Sequence, residues 1–198
     1  IHRTSDWKVI DSVALDKQDI HYLYSLTQNS SIQLTLFDEE HYFVVGETPS
    51  PIVVRDTGYV FTSPTEISLE EAVSGKYTMF QAMFLAEKET VDFFEEKYAS
   101  DICQHFSGVR SQDVIYEVMP AGITKAFALE KLAQKLDIQA EQIMALGDAN
   151  NDLEMLKFAG LGIAMGNASD YVKSLANGIT DSNDENGVAK AIEKYLLN

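Results

Sequence analysis

The chain has 198 residues, and 31 Asp and Glu against 15 Lys and Arg give it a formal net charge of −16. So acidic a surface repels phosphate backbones and anionic bilayers, which argues against nucleic acid or a membrane as partner. A hydrophobic fraction of 45% is enough for a sizeable core, while the single Cys103, the lack of a membrane-length apolar run and the lack of a signal-peptide pattern lead us to expect a cytoplasmic protein with no disulfide or thiolate zinc site.

The opening residues, 1–14, are polar and hairpin-like, and they begin at Ile1 without a methionine, so a fragment of a longer protein is expected. From Leu15 to Gln112 the pattern is that of an α+β mixture. "DKQDIHYLYSL" has helical spacing, and "IQLTLF" and "HYFVVG" are strand-like runs separated by Asp38-Glu39-Glu40. Thr48 to Pro64 is a section spotted with Pro and Thr. A long apolar run, "YTMFQAMFLA", precedes the charged helix candidate "EKETVDFFEEKY" and two further strand candidates, "DICQHFSGV" and "DVIYEVMP". In this pattern Cys103 is expected to be a small buried hydrophobe in a strand.

From Gly122 onward helix and strand alternate strictly: "TKAFALEKLAQKL", "QIMALG", "NDLEMLKFA", "LGIAM", "ASDYVKSLA", "GIT" and "ENGVAKAIEKYLL". Alternation with short loops predicts parallel strands joined by right-handed crossovers, part of a doubly wound α/β domain. Ligands of such sheets bind beyond the carboxyl ends of the strands, and Gly147-Asp148 lies at one such end.

At that point stands Asp148-Ala149-Asn150-Asn151-Asp152. One explanation is structural: Asn151 with Glu154 three residues on fits a helix N-cap with its box partner. A calcium loop fails, because Leu153 occupies the turn-glycine position and Ala159 that of the closing glutamate. The functional alternative is a hard-cation site with few protein carboxylates, which suits Mg²⁺ shared with a phosphate. Lys125 falls in the first turn of its helix, after the expected cap Thr124, where a cation opposes the helix dipole. It is either a solvated lysine or a point charge for a phosphoryl group. "GLGIAMG" lacks the dinucleotide glycine spacing, with Met165 in place of the third glycine; Gly166-Asn167 is expected instead to form a tight loop near Asp148 that offers backbone N–H groups. The histidines, His2, His21, His41 and His105, show no metal-ligand spacing.

Lys125 ahead of "GDANND", then "AGLGIAMGNA", then "VKSLANGITDSNDENGVAKAIEKYLL", resemble the third and fourth motifs and the C-terminal tail of the haloacid-dehalogenase superfamily, in particular its Cof-type sugar-phosphate phosphatases. The resemblance implies a Rossmann-like α/β core, here incomplete (residues 1–14 and 113–198), with an inserted α+β cap over residues 15–112. It implies Mg²⁺-dependent hydrolysis of a small phosphorylated metabolite through an aspartyl-phosphate. By position Asp148 would ligate the metal and Asp152 would brace its outer shell. Lys125 would steady the nucleophile and the transferring phosphate, and Asn151 would bind the phosphate side. The family's first motif, Asp-x-Asp followed by Gly-Thr, has no counterpart in these residues, nor does the second, so the nucleophile is missing and the chain by itself is expected to be inactive. Phosphosugar-mutase-like transfer and a non-catalytic phosphate-binding relative are the alternatives. An unfinished sheet would favour pairing between chains, and the oligomeric state stays open.

Overall fold

Asp16 and Asp19 open the first helix by a reciprocal cap: the Asp16 carboxylate accepts from the N–H groups of Gln18 and Asp19, and the Asp19 carboxylate accepts from that of Asp16. In the computed structural model, which describes Ile1, residues 3–6 and residues 8–197, this cap starts α1 (Lys17–Ser25). His2 and Trp7 are outside the described residues, so the reading of His2 and of the opening hairpin around these positions lies there too. The chain forms two units, residues 2–123 and residues 124–198 with Ile1.

In the first unit β1 (Gln33–Phe37) and β2 (Tyr42–Val45) form the expected hairpin, with Thr35 opposite Val44. Its turn is closed by Asp38, whose Oδ1 accepts from the N–H groups of Glu40 and His41 at 2.8 and 2.6 Å. The Pro- and Thr-spotted stretch, to which the sequence pattern assigns no element, contains α2 (Pro51–Tyr59) and leads to β3 (Pro64–Ile67). The reason lies at its start: Ser50 caps the helix and Pro51 takes the first helical position, where a missing N–H costs nothing. A short α3 (Leu69–Ala72) and β4 (Gln81–Leu85) follow.

The long α4 (Lys88–His105) corrects the strand expected at "DICQH". Val91, Phe94 and Ile102 are buried at helical spacing on the face that meets the sheet, so the helical period runs on to His105. Cys103 consequently sits on an exposed part of the helix and not inside a strand. The strands β5 (Phe106–Gln112) and β6 (Ile115–Pro120) complete a six-stranded sheet in the order β3-β2-β1-β4-β6-β5, antiparallel except for the β2–β3 pair. Because β6 is hydrogen-bonded between β4 and β5, the unit extends to Ile123, beyond the boundary at 112/113 drawn from sequence. One face of the sheet packs Leu23, Phe43, Phe84, Ile102 and Tyr116, and the other a smaller cluster that includes Val44, Val53 and Leu85.

The second unit alternates as expected: α5 (Lys125–Leu136), β7 (Met144–Gly147), α6 (Leu153–Phe158), β8 (Leu161–Ala164), α7 (Asp170–Leu175), β9 (Gly178–Ile179) and α8 (Gly187–Leu196). The three strands are parallel in the order β7-β8-β9, so their carboxyl ends and the loops that follow them share one edge of the sheet. Its core is built of small residues, Ala145, Ala159 and Ala164 around Leu156 and Val172, which lets helices and strands approach closely. Among the described residues β7 pairs on one side only.

Candidate active site

The site is built where β7 ends. Gly147 finishes the strand, a tight turn (Asn150–Asp152) follows, and α6 begins at Leu153. The chain can fold this sharply because Asp152 turns back over Gly147; a Cβ on Gly147 would stand 2.4 Å from that of Asp152. Asp152 is 4% exposed, and its Oδ2 accepts from the N–H groups of Asp148 (3.0 Å) and Ala149 (3.3 Å). It therefore caps the turn with the two donors that the strand leaves free. Asn151 does not cap α6: that helix has no side-chain cap, and the Asn151 Oδ1 is enclosed without a hydrogen-bond partner.

Lys125 enters from the start of α5, where the Thr124 hydroxyl accepts from the N–H of Phe127 at 3.2 Å, as expected. Its Nζ donates to the Asp152 Oδ1 at 2.6 Å. The pair is asymmetric, since the lysine side chain is 52% exposed and the aspartate 6%. Burial removes water from the carboxylate, and the lysine with two backbone amides replaces it.

Asp148 is exposed, and its Oδ2 accepts from Asn167 Nδ2 at 2.9 Å. Asn167 follows β8, and its own Oδ1 accepts from the N–H of Asn183 at 3.1 Å, in the loop after β9. Lys125, Asp152, Asp148, Asn167 and Asn183 thus form one continuous hydrogen-bonded chain along the carboxyl ends of the three strands and the start of α5. Of the residues expected from sequence, Lys125, Asp148 and Asp152 meet in this chain, while the Asn151 side chain takes no part in it. The Gly166-Asn167 loop does lie beside Asp148, but through the Asn167 side chain; the Gly166 N–H is used by the Asp181 carbonyl at 3.0 Å. The sequence pattern points to Asn167 only as part of a loop near Asp148 with backbone N–H groups to offer, and it does not point to Asn183. The signal in the sequence was an asparagine just past the strand next to the Asp148 strand.

Among the described residues no group of three or more His, Cys, Asp or Glu could by itself hold a metal ion. His41 Nδ1 lies 2.9 Å from both oxygens of Asp38, within the first unit. In the hydrogen-bonded chain at the strand ends, the Asp148 Oδ1 has no hydrogen bond among the described residues and is open to a cation. One open carboxylate oxygen fits Mg²⁺, which keeps much of its water and takes one or two carboxylates together with phosphate oxygens.

A small parallel α/β domain thus carries a lysine–carboxylate–amide chain along its strand ends, the edge at which ligands of such sheets generally bind. The model of the haloacid dehalogenase-like hydrolases matches residues 1–192, and the chain belongs to that family. It is 29% identical to the putative phosphatase YxeH of Bacillus subtilis, over all of this chain and 73% of that protein. It is 56% identical over 81 residues, 41% of this chain and 32% of the other, to the B. subtilis 5-amino-6-(5-phospho-D-ribitylamino)uracil phosphatase YcsE. The crystal structure of a haloacid dehalogenase-like hydrolase from Bacteroides thetaiotaomicron superposes with a TM-score of 0.83 at 26% identity, over 98% of this chain and 72% of that one. The Rossmann-like α/β core is thereby established.

Proposed function

We propose that this chain carries the metal- and phosphate-binding part of a phosphatase for small phosphate monoesters, sugar phosphates among them. The observation that carries the reading is the chain from Lys125 through Asp152 to Asp148 at the carboxyl ends of the parallel strands. Asp148 would hold Mg²⁺ through its open oxygen, and Asp152 would act one step back by fixing the Asp148 backbone. Bound there, the ion would neutralise phosphoryl charge as a Lewis acid. Lys125 would place a compact positive charge on the phosphoryl group, and positioning and charge are most of what phosphoryl transfer asks of a protein. Asn151 would present its side-chain amide to the same group. The α+β unit that holds residues 15–112, and whose sheet β6 completes, is proposed as the family's substrate-selecting cap. The similarity to YcsE, named as the phosphatase of a phosphoribityl compound, is in keeping with a phosphorylated sugar-like substrate.

The nucleophile of the family's aspartyl-phosphate route is not among these 198 residues, which contain no Asp-x-Asp-Gly-Thr sequence. The chain by itself is therefore proposed to bind without turnover, in the cytoplasm. The test is a phosphometabolite screen with Mg²⁺, run on this chain and on the chain extended by a family first-motif segment, with Asp148→Ala in both. Hydrolysis by the extended protein alone, abolished by Asp148→Ala, is the expected result. Full magnesium-dependent rates in the Asp148→Ala variant would overturn the assignment.

A further inference from the structure

We propose that Asn167 is the positioning residue of the Asp148 carboxylate, and that the backbone N–H of Asn183 sets Asn167 in turn. The inference rests on the reading of Asp148 as a cation ligand. A carboxamide has a donor end and an acceptor end, and only its surroundings decide which points where. The Asn183 N–H can only donate, so it claims the Asn167 Oδ1 at 3.1 Å and turns Nδ2 toward Asp148, 2.9 Å away. One carboxylate oxygen of Asp148 is then occupied, its backbone N–H is held by Asp152, and Oδ1 is the oxygen left to a ligand.

The arrangement has a consequence for affinity more than for folding. Asp148 and Asn167 are both exposed, so water can replace their bond at little cost to stability. An exposed aspartate without that bond samples several rotamers, whereas Mg²⁺ demands near-ideal octahedral placement of its ligand. Groups that orient a metal ligand from behind typically change metal affinity by ~10–100-fold when removed. Asn183 makes the tail of the domain part of the site through its main chain alone.

The test uses Mn²⁺ as the probe, titrated into the ¹⁵N-labelled chain while paramagnetic broadening of the amides at 147–152 is followed. Asn167→Ala removes the positioning amide. Asn183→Pro removes the N–H that orients it, along with a long side-chain bond to Asp184 at 3.4 Å: the position is the first of a 3₁₀ turn, and Ser182 before it, at φ −69° and ψ 168°, already has the extended backbone that proline requires. The proline ring would occupy the place of the N–H and turn the Asn167 amide away.

Both variants are expected to raise the Mn²⁺ midpoint by ~10-fold or more with a melting temperature within a few degrees of the parent. Asp148→Asn is expected to abolish the broadening. If Asn167→Ala and Asn183→Pro keep the parental midpoint while Asp148→Asn loses the signal, the positioning role falls and the cation reading stands. If Asp148→Asn keeps the signal, the cation reading itself falls. Should Asn167→Ala unfold, Asn183→Pro decides alone.

Discussion

Asp152 offers the sharpest test of how the strand end is held. Asp152→Ala removes an acceptor of two backbone N–H groups and of Lys125 Nζ. A hydrogen bond to a charged group contributes about 1.5–3 kcal/mol. The lower part of that range applies, because Asp148 is exposed and Ala149 half-buried, so water can reach the orphaned amides. Lys125, with half its side chain in solvent, adds under about 1 kcal/mol. The loss comes to about 3–4 kcal/mol, a large share of what holds a typical domain folded. Asp152→Asn should cost less, about 1–2 kcal/mol: the amide oxygen can keep both backbone donors, and only the charge and the Lys125 pair are lost. Urea unfolding followed on resolved NMR signals of residues 124–197 measures both. An Asp152→Ala loss below about 1 kcal/mol, or an Asp152→Asn loss equal to it, would refute the claim that this carboxylate caps the turn.

Gly147→Ala places a methyl group 2.4 Å from the Asp152 Cβ, so calorimetry should show a loss of about 1–3 kcal/mol. Cys103 should react stoichiometrically with a thiol reagent in the folded protein; a thiol that titrates only in denaturant would restore the buried placement. Burial, reinforced by Asp101, pushes the Tyr22 phenol up to about 12, and burial also raises Tyr42 and Tyr116 above the ordinary tyrosine range. The neutral phenol is the form the fold favours, so this stabilisation is fully present below about pH 10 and is lost as pH climbs through the folded values. Near-ultraviolet titration should accordingly find fewer than nine phenolates at about pH 11, and nine at that pH would contradict it. Inorganic phosphate should bind measurably by ³¹P NMR with Mg²⁺ present and lose that binding in EDTA, whereas equal binding in both would count against a shared site.

Much of this molecule could be read from its residues, and the parts that could not share a cause. The second unit followed the alternation of apolar runs and caps because each element carries its own signal, such as Thr124 before α5 or Gly147 after β7. The helix at Pro51–Tyr59 was hidden by its content: Ile52, Val53, Val54 and Thr57 are β-branched, and only Ser50-Pro51 marks it as a helix. At 101–105 the apolar Ile102 and Cys103 suit a strand as well as a helix, and the packing of Ile102 in line with Val91 and Phe94 decides for the helix. Charge and spacing drew attention to Lys125, Asp148 and Asp152, which the structure joins by hydrogen bonds. They did not reveal that Asp152 is the buried cap and Asp148 the exposed acid, because that division depends on which side chain folds over Gly147. Asn167 lies nineteen residues from Asp148, and only the adjacency of β7 and β8 brings them together.

The charge of the chain bears on how such a site can work. A phosphate approaching a protein of net charge −16 meets repulsion at long range, and at the strand ends it meets a lysine already paired with Asp152. Lysine at the start of α5 is itself placed against the helix dipole, at a cost of a few tenths of a kcal/mol, and the Asp152 carboxylate offsets it. The pair is locally neutral, so the open acid Asp148 leaves the strand ends negative. An anion at the proposed site would need positive charge beyond that of Lys125, which the proposed Mg²⁺ would supply. Each would then raise the affinity of the other by the same factor, as linkage requires. The exposure of Asp148 suits that proposed role, since a carboxylate buried like Asp152 already has its oxygens engaged by the fold.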